Sequence, residues 1–87
     1  MEQPWFLYIV ECRTGDLYVG IAQDVKKRLD LHNNGRACRY TKFRRPVALI
    51  HREYCGSYSK ARAREKEVKK FSRIKKLALK DLSSPET

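Results

Sequence analysis

Residues 5–22 read WFLYIVECRTGDLYVGIA, and this stretch decides the fold. Trp5 to Cys12 is a compact run of aromatic and β-branched residues, short enough to be a buried strand rather than a helix. Arg13-Thr14-Gly15-Asp16 is turn chemistry, and Leu17 to Ala22 resumes strand character, so the stretch predicts a β-hairpin. Gly20 interrupts the second strand, where a glycine marks a bulge or a close approach of backbone. Downstream, Asp24 is a good N-cap and Gly35 a good stop, which predicts a helix over 25–34. Residues 36–46 are basic and irregular, and Val47 to Tyr54 reads as a third strand. Ser57 or Ser59 then caps a helix to about Lys70, and Ser72 caps another to about Leu82, with Ile74, Leu77, Ala78 and Leu82 as its apolar stripe. The order β-β-α-β-α-α predicts an α+β domain, a small antiparallel sheet covered by helices, over residues 1–82, with 83–87 as a frayed tail.

A chain of 87 residues supports one modest core and no second domain. One Trp, three Phe and five Tyr exclude a disordered polyelectrolyte. Twenty Lys and Arg against ten Asp and Glu leave a charge of +10, which points to a polyanionic partner: DNA, RNA or an anionic membrane face. The apolar run Trp5 to Val10 is far below the roughly 20 residues needed to cross a bilayer. No basic stretch precedes it, as a signal peptide would require, so the expected location is the cytoplasm. Cys12, Cys38 and Cys55 are an odd set at wide spacings, and neither they nor His32 and His51 show zinc-ligand spacing. Reduced, structural thiols are expected.

Two helices carry polar groups on their inward sides. In the first, Val25 and Leu29 define the buried face, and Arg28 and His32 fall one turn apart on its flank. Arg28 either lays its stem along the core edge with its head in water or serves a site there. In the second, Glu65 lies within the stripe Ala61, Val68, Phe71, whereas Glu67 points to solvent. A carboxylate on a buried face needs a cation or a metal, so Glu65 is either an arginine's partner or a working group. The remaining charge is concentrated: residues 36–52 hold six Lys or Arg and no acid, and residues 58–80 hold ten against Glu65 and Glu67. The run on the helices fits a solvated face. The 36–45 segment, with Arg36, Arg39, Lys42, Arg44 and Arg45 around Tyr40 and Phe43, fits phosphate contact and base stacking.

With these residues placed, the sequence resembles a GIY-YIG endonuclease domain, and more narrowly the small stand-alone bacterial proteins similar to the nuclease domain of the excision-repair incision enzyme. The first signature element is Phe6-Leu7-Tyr8 and the second Tyr18-Val19-Gly20. Asp24, Arg28, Leu29, His32 and Asn33 follow, then Tyr40-Thr41 and Arg45-Pro46, then the closing block Ala61 to Leu79. The likeness runs from about residue 5 to 80. It departs at Phe6, which stands where the signature has glycine.

The resemblance implies a three-stranded antiparallel sheet flanked by helices, with Tyr8, Tyr18, Arg28, His32 and Glu65 as one catalytic set and Gly20 as a structural turn residue. It implies phosphodiester hydrolysis with one Mg²⁺ or Mn²⁺ held by Glu65 and the substrate phosphate. Arg28 would face the scissile phosphate, and Tyr8 would be the base toward water, with Tyr18 or His32 as its proton partner. Such a base needs a phenol drawn toward ionisation by Arg28, the metal and the basic surroundings. The implied partner is nucleic acid, most readily DNA in repair or processing, with no membrane and no small-molecule cofactor. The competing readings are a non-catalytic DNA- or RNA-binding module on the same fold, and an accessory subunit that docks on an acidic protein.

Overall fold

A computed structural model describes residues 3–80. Its elements are β1 (Trp5–Cys12), β2 (Leu17–Ala22), α1 (Val25–Asn33), α2 (Arg39–Lys42), β3 (Val47–Gly56), α3 (Tyr58–Lys69) and α4 (Arg73–Leu79). The strands form one antiparallel sheet in the order β2-β1-β3, so the first strand of the hairpin is its centre. The fold is the expected α+β one.

The unbroken burial of Leu7, Tyr8, Ile9 and Val10 follows from that central position. Successive side chains of a strand point to opposite faces, so a strand covered on both sides reads as a continuous apolar run. Tyr8, Val10 and Cys12 face one layer with Ala22, Val25, Val47 and the partly buried Phe6, Tyr18 and Leu29. Leu7 and Ile9 face the other with Val19, Val68, Leu79 and Phe71. Thus α1 covers one face of the sheet and α3–α4 the other. Burying each of these larger aliphatic side chains contributes about 1.5–3 kcal/mol.

Helix starts follow the capping residues. Asp24 accepts from the backbone N–H of Lys27, Ser57 from that of Lys60 and Ser72 from that of Lys75, which selects Ser57 over Ser59 as the cap of α3. In the hairpin turn Gly15 takes φ +92, a left-handed conformation open to glycine. The Arg45–Pro46 peptide is cis.

Three expectations are corrected. The 36–46 segment is not wholly irregular, since α2 forms one turn of helix within it. The third strand runs on to Gly56. The stripe assigned to the last helix is also wrong in part: Ile74 is 81% exposed and Ala78 is exposed, while Leu79 is buried against the sheet. The short α4 is oriented by Leu79 and by Arg73, whose guanidinium reaches the carbonyl of Gly15 and the carboxylate of Glu11. Leu82 and the expected tail at 83–87 lie outside the described residues.

Candidate active site

The hairpin places Tyr8 and Tyr18 on the α1 side of the sheet, and α1 lays His32 over them. His32 is 1% exposed. Its Nε2 is 2.8 Å from Tyr8 Oη and its Nδ1 is 2.7 Å from Thr41 Oγ1. The Thr41 hydroxyl in turn donates to the carbonyl of Cys38 at 3.5 Å. One proton arrangement that satisfies these contacts runs through Cys38, whose Sγ also lies 3.4 Å from the Thr41 hydroxyl. Thr41 gives its hydrogen to Cys38, so it accepts from Nδ1–H, and Nε2 is left to accept from the tyrosine. Burial first and Arg28 second hold the imidazole below its ordinary value, which keeps it neutral as that arrangement requires.

Gly20 makes this geometry possible. It is the cross-strand partner of Tyr8, and the tyrosine ring lies over its backbone. A Cβ at Gly20 would sit 2.6 Å from Tyr8 Oη and 2.7 Å from Cζ, closer than such atoms come. The glycine is a close approach, of a side chain rather than of backbone.

Tyr18 packs edge-on against His32, with ring centroids 5.1 Å apart, and stacks on Tyr40 at 5.8 Å. Burial pushes its hydroxyl up to about 12, with a hydrogen bond to Cys38 adding to the effect. The Tyr8 hydroxyl is pushed further above its ordinary value, by burial and then by Tyr18, against a smaller pull downward from Arg28. The phenol drawn toward ionisation is therefore not what the protein alone provides: burial outweighs the basic surroundings. What it provides is a neutral imidazole bonded to that phenol.

Arg28 is half-buried, acts electrostatically on Tyr8, Tyr18 and His32, and has no ion-pair partner among the described residues. Glu65 reaches the same pair of tyrosines from α3, raising both. It is 7% exposed, with Arg62 Nη1 3.0 Å from Oε1 and Lys69 Nζ 3.2 Å from Oε2. Of the two alternatives for Glu65 the structure shows the ion pair, and the carboxylate's charge is also felt at the tyrosines. Among the described residues no three His, Cys, Asp or Glu gather as a metal cage. A single carboxylate nevertheless suits Mg²⁺ or Mn²⁺, which keeps several waters and takes further oxygens from phosphate.

The loop residues divide into two groups. Arg44 spans Asp16 at 3.3 Å and the Tyr40 carbonyl at 2.7 Å, and its guanidinium lies 4.2 Å from the Tyr40 ring centroid. Arg45 donates to the carbonyls of Lys42 and Asn33. These two arginines hold the loop closed, and Tyr40 is already flanked by Tyr18 and Arg44. Arg36, Arg39 and Lys42 are exposed and make no side-chain hydrogen bond or ion pair among the described residues. Phe43 is 71% exposed beside Lys42. Sequence reasoning named Thr41 only as part of the Tyr40-Thr41 motif, with no role, and did not place Cys38 in the site. Their only signal was a position beside Tyr40 and three residues before Thr41, because a hydroxyl's partner is a matter of three dimensions.

The family model of the GIY-YIG catalytic domain matches residues 4–78. The chain belongs to this family. Relatives of the GIY-YIG domain include a UPF0213 protein of Staphylococcus saprophyticus, 51% identical over 74 residues, which are 85% of this chain and 90% of the relative. A UPF0213 protein of Staphylococcus aureus is 49% identical over the same shares. Two solution NMR structures are similar. A UPF0213 protein of Bacillus halodurans is 36% identical with a TM-score of 0.58, over 94% of this chain and 88% of that one. A protein of E. faecalis is 32% identical with a TM-score of 0.62, over 93% and 88%. GIY-YIG membership places the chain in a nuclease superfamily, a nuclease-type hydrolase class whose substrates are nucleic acids. Among the described residues, no helix is long and apolar enough to cross a membrane.

Proposed function

We propose that this GIY-YIG domain is a divalent-metal-dependent DNA endonuclease that hydrolyses phosphodiester bonds in repair or processing of DNA in the cytoplasm. Its catalytic set is Tyr8, Tyr18, Arg28, His32 and Glu65. The observation that carries the reading is the buried 2.8 Å bond from Tyr8 Oη to a neutral His32 Nε2, beside Arg28, which has no ion-pair partner among the described residues.

The bond supports a proton relay. As water attacks phosphorus, Tyr8 Oη takes the water's proton and passes its own to His32 Nε2, so no free phenolate has to exist beforehand. The P–O bond to the leaving strand breaks as the new one forms, and the departing oxygen takes a proton from bulk water, to which the imidazolium later returns its own. His32 becomes imidazolium, and Thr41 continues to accept from Nδ1–H, holding the ring in line. Arg28 offers its planar fork to the phosphate oxygens, where negative charge grows in the transition state. Tyr18 packs on both His32 and Tyr40 and so holds the imidazole end of the relay in place, leaving Tyr8 Oη to meet the attacking water. Glu65 would hold one Mg²⁺ or Mn²⁺, which when bound supplies Lewis-acid stabilisation of phosphate charge. Arg36, Arg39 and Lys42 supply sequence-independent backbone contacts.

The test is cleavage of supercoiled, single-stranded and branched DNA with Mg²⁺, with Mn²⁺ and with EDTA, beside a Glu65→Gln variant that still binds DNA. Metal-dependent cutting by the wild type alone is the expected result. Equal silence from both proteins, with binding retained, would replace the nuclease with a non-catalytic binding module.

A further inference from the structure

We propose that Arg62 and Lys69 form a latch on Glu65, which closes the carboxylate to a divalent cation until nucleic-acid phosphate draws them off. Metal and nucleic acid then bind cooperatively. This rests on the metal reading above and adds to it a control of when the site loads.

The geometry is specific. Glu65 is nearly buried, and each of its two oxygens carries a cation, Arg62 at 3.0 Å and Lys69 at 3.2 Å. The partners stand three residues before and four after it, the spacings at which helix side chains meet. Each oxygen thus already carries a positive charge within 3.2 Å, and a divalent ion approaching either one meets that repulsion until its holder moves away. Displacement is within reach, because the holders are 48% and 53% exposed on their own account. Because the buried carboxylate has two holders, one can turn to another anion while the other still compensates the charge. The anion present in a working complex is phosphate. Arg62, Lys66 and Lys69 lie on one flank of α3, within about 60° of each other at 100° per residue. They thus line the approach to Glu65 with positive charge that a phosphate backbone attracts.

A phosphate that takes Arg62 or Lys69 does two things together. It frees a carboxylate oxygen, and it removes a cation that would repel a divalent ion. Linkage makes the effect reciprocal: whatever factor DNA adds to metal affinity, metal adds to DNA affinity. Without DNA the latch keeps the site unloaded, so metal and substrate arrive together.

The test measures binding, not turnover. Mn²⁺ affinity of the full chain is followed by electron paramagnetic resonance of free Mn²⁺, with and without a phosphorothioate duplex that resists hydrolysis. Glu65→Gln gives the baseline. For the wild type, DNA is expected to tighten Mn²⁺ binding by about 5- to 150-fold, the usual range of such couplings. In the Arg62→Gln/Lys69→Gln variant, DNA-free affinity rises toward the DNA-bound value of the wild type and the enhancement shrinks. Lys66→Gln removes a charge from the same flank without touching Glu65, and is expected to change affinity far less. Where the double variant fails to fold, each single variant keeps one ion pair on the buried carboxylate and is expected to show part of the rise. Unchanged or weaker DNA-free affinity in the folded variants, or an equal rise in Lys66→Gln, overturns the latch and leaves the metal reading standing. No binding above the Glu65→Gln baseline in any protein overturns both.

Discussion

Replacing Gly20 by alanine tests the geometry of the site with one methyl group. The new Cβ would lie 2.6 Å from Tyr8 Oη, where ordinary contact begins at 3.4 Å, so the hydroxyl has to retreat by about 0.8 Å. Moving the ring that far stretches its 2.8 Å bond to His32 beyond hydrogen-bond range. The buried pair left unsatisfied costs about 1–3 kcal/mol, and crowding a packed core costs about 1–3 kcal/mol more. Against this stands about 0.4–1 kcal/mol of stabilisation from the stiffer unfolded chain. The net expectation is a loss of about 3 kcal/mol, or roughly 12–24 °C in Tm for a domain of this size. Urea and thermal unfolding followed by circular dichroism measure it. In a Tyr8→Phe background the same substitution still meets Cζ at 2.7 Å but breaks no hydrogen bond, so its cost falls by about 1–3 kcal/mol. Cleavage by Gly20→Ala at a temperature where it is folded falls about 100-fold, because the relay atom is misplaced by close to 1 Å. A Gly20→Ala protein as stable as the wild type, or more so, would refute the placement of the tyrosine ring over the glycine.

Thr41→Val removes the acceptor of His32 Nδ1–H and is expected to cost about 1–3 kcal/mol by unfolding, with a loss of cleavage that Thr41→Ser restores. Binding of DNA should weaken steeply with salt; Arg36→Ala, Arg39→Ala and Lys42→Ala should each lower the slope of log affinity against log salt by about 1, whereas Arg44→Ala should lower Tm instead. Glu53 sets part of the acid limit: burial works against its charge, but hydrogen bonds from Arg64 and His51 outweigh it and hold the carboxyl below its ordinary value of 4.5. A carboxyl lowered on folding contributes stability in full above that ordinary value and loses it as pH falls through the lowered one. Glu53→Gln should therefore flatten the stability profile below about pH 4.5 and leave its shape near neutrality unchanged, as read by unfolding across pH.

The hairpin was legible because it depends on local chemistry. An apolar run, a Gly-containing turn and a second run permit little else, and Asp24, Ser57 and Ser72 announce their helices. The one-turn α2 was not, for a four-residue helix has no periodicity, and its cap residue Cys38 makes no side-chain capping bond. Ile74 misled because α4 is too short for its own stripe to orient it, and Leu79 docks instead. In the site, Glu65 showed itself as a charge on an apolar stripe, and Arg28 and His32 as a pair one turn apart. Two things were not legible: that Arg44 and Arg45 close the loop on itself, and that burial lifts Tyr8 away from ionisation. The first depends on loop contacts from 3 to 28 residues apart, and the second on what packs around a central strand.

The central place of β1 bears on how the molecule is made. Its two neighbours flank it in sequence very unevenly, β2 after a four-residue turn and β3 only once α1 and α2 have been synthesised. The proton relay of Tyr8, His32 and Thr41 can thus be drawn together by the first half of the chain. The carboxylate at Glu65 follows the third strand, on the helix that seals the opposite face. A growing chain thus presents the basic 36–45 segment and the bonded pair of Tyr8 and His32 early, and Glu65 late. On the proposed mechanism, competence to cut would arrive only after the sheet is complete, so the order of synthesis itself would separate binding from chemistry.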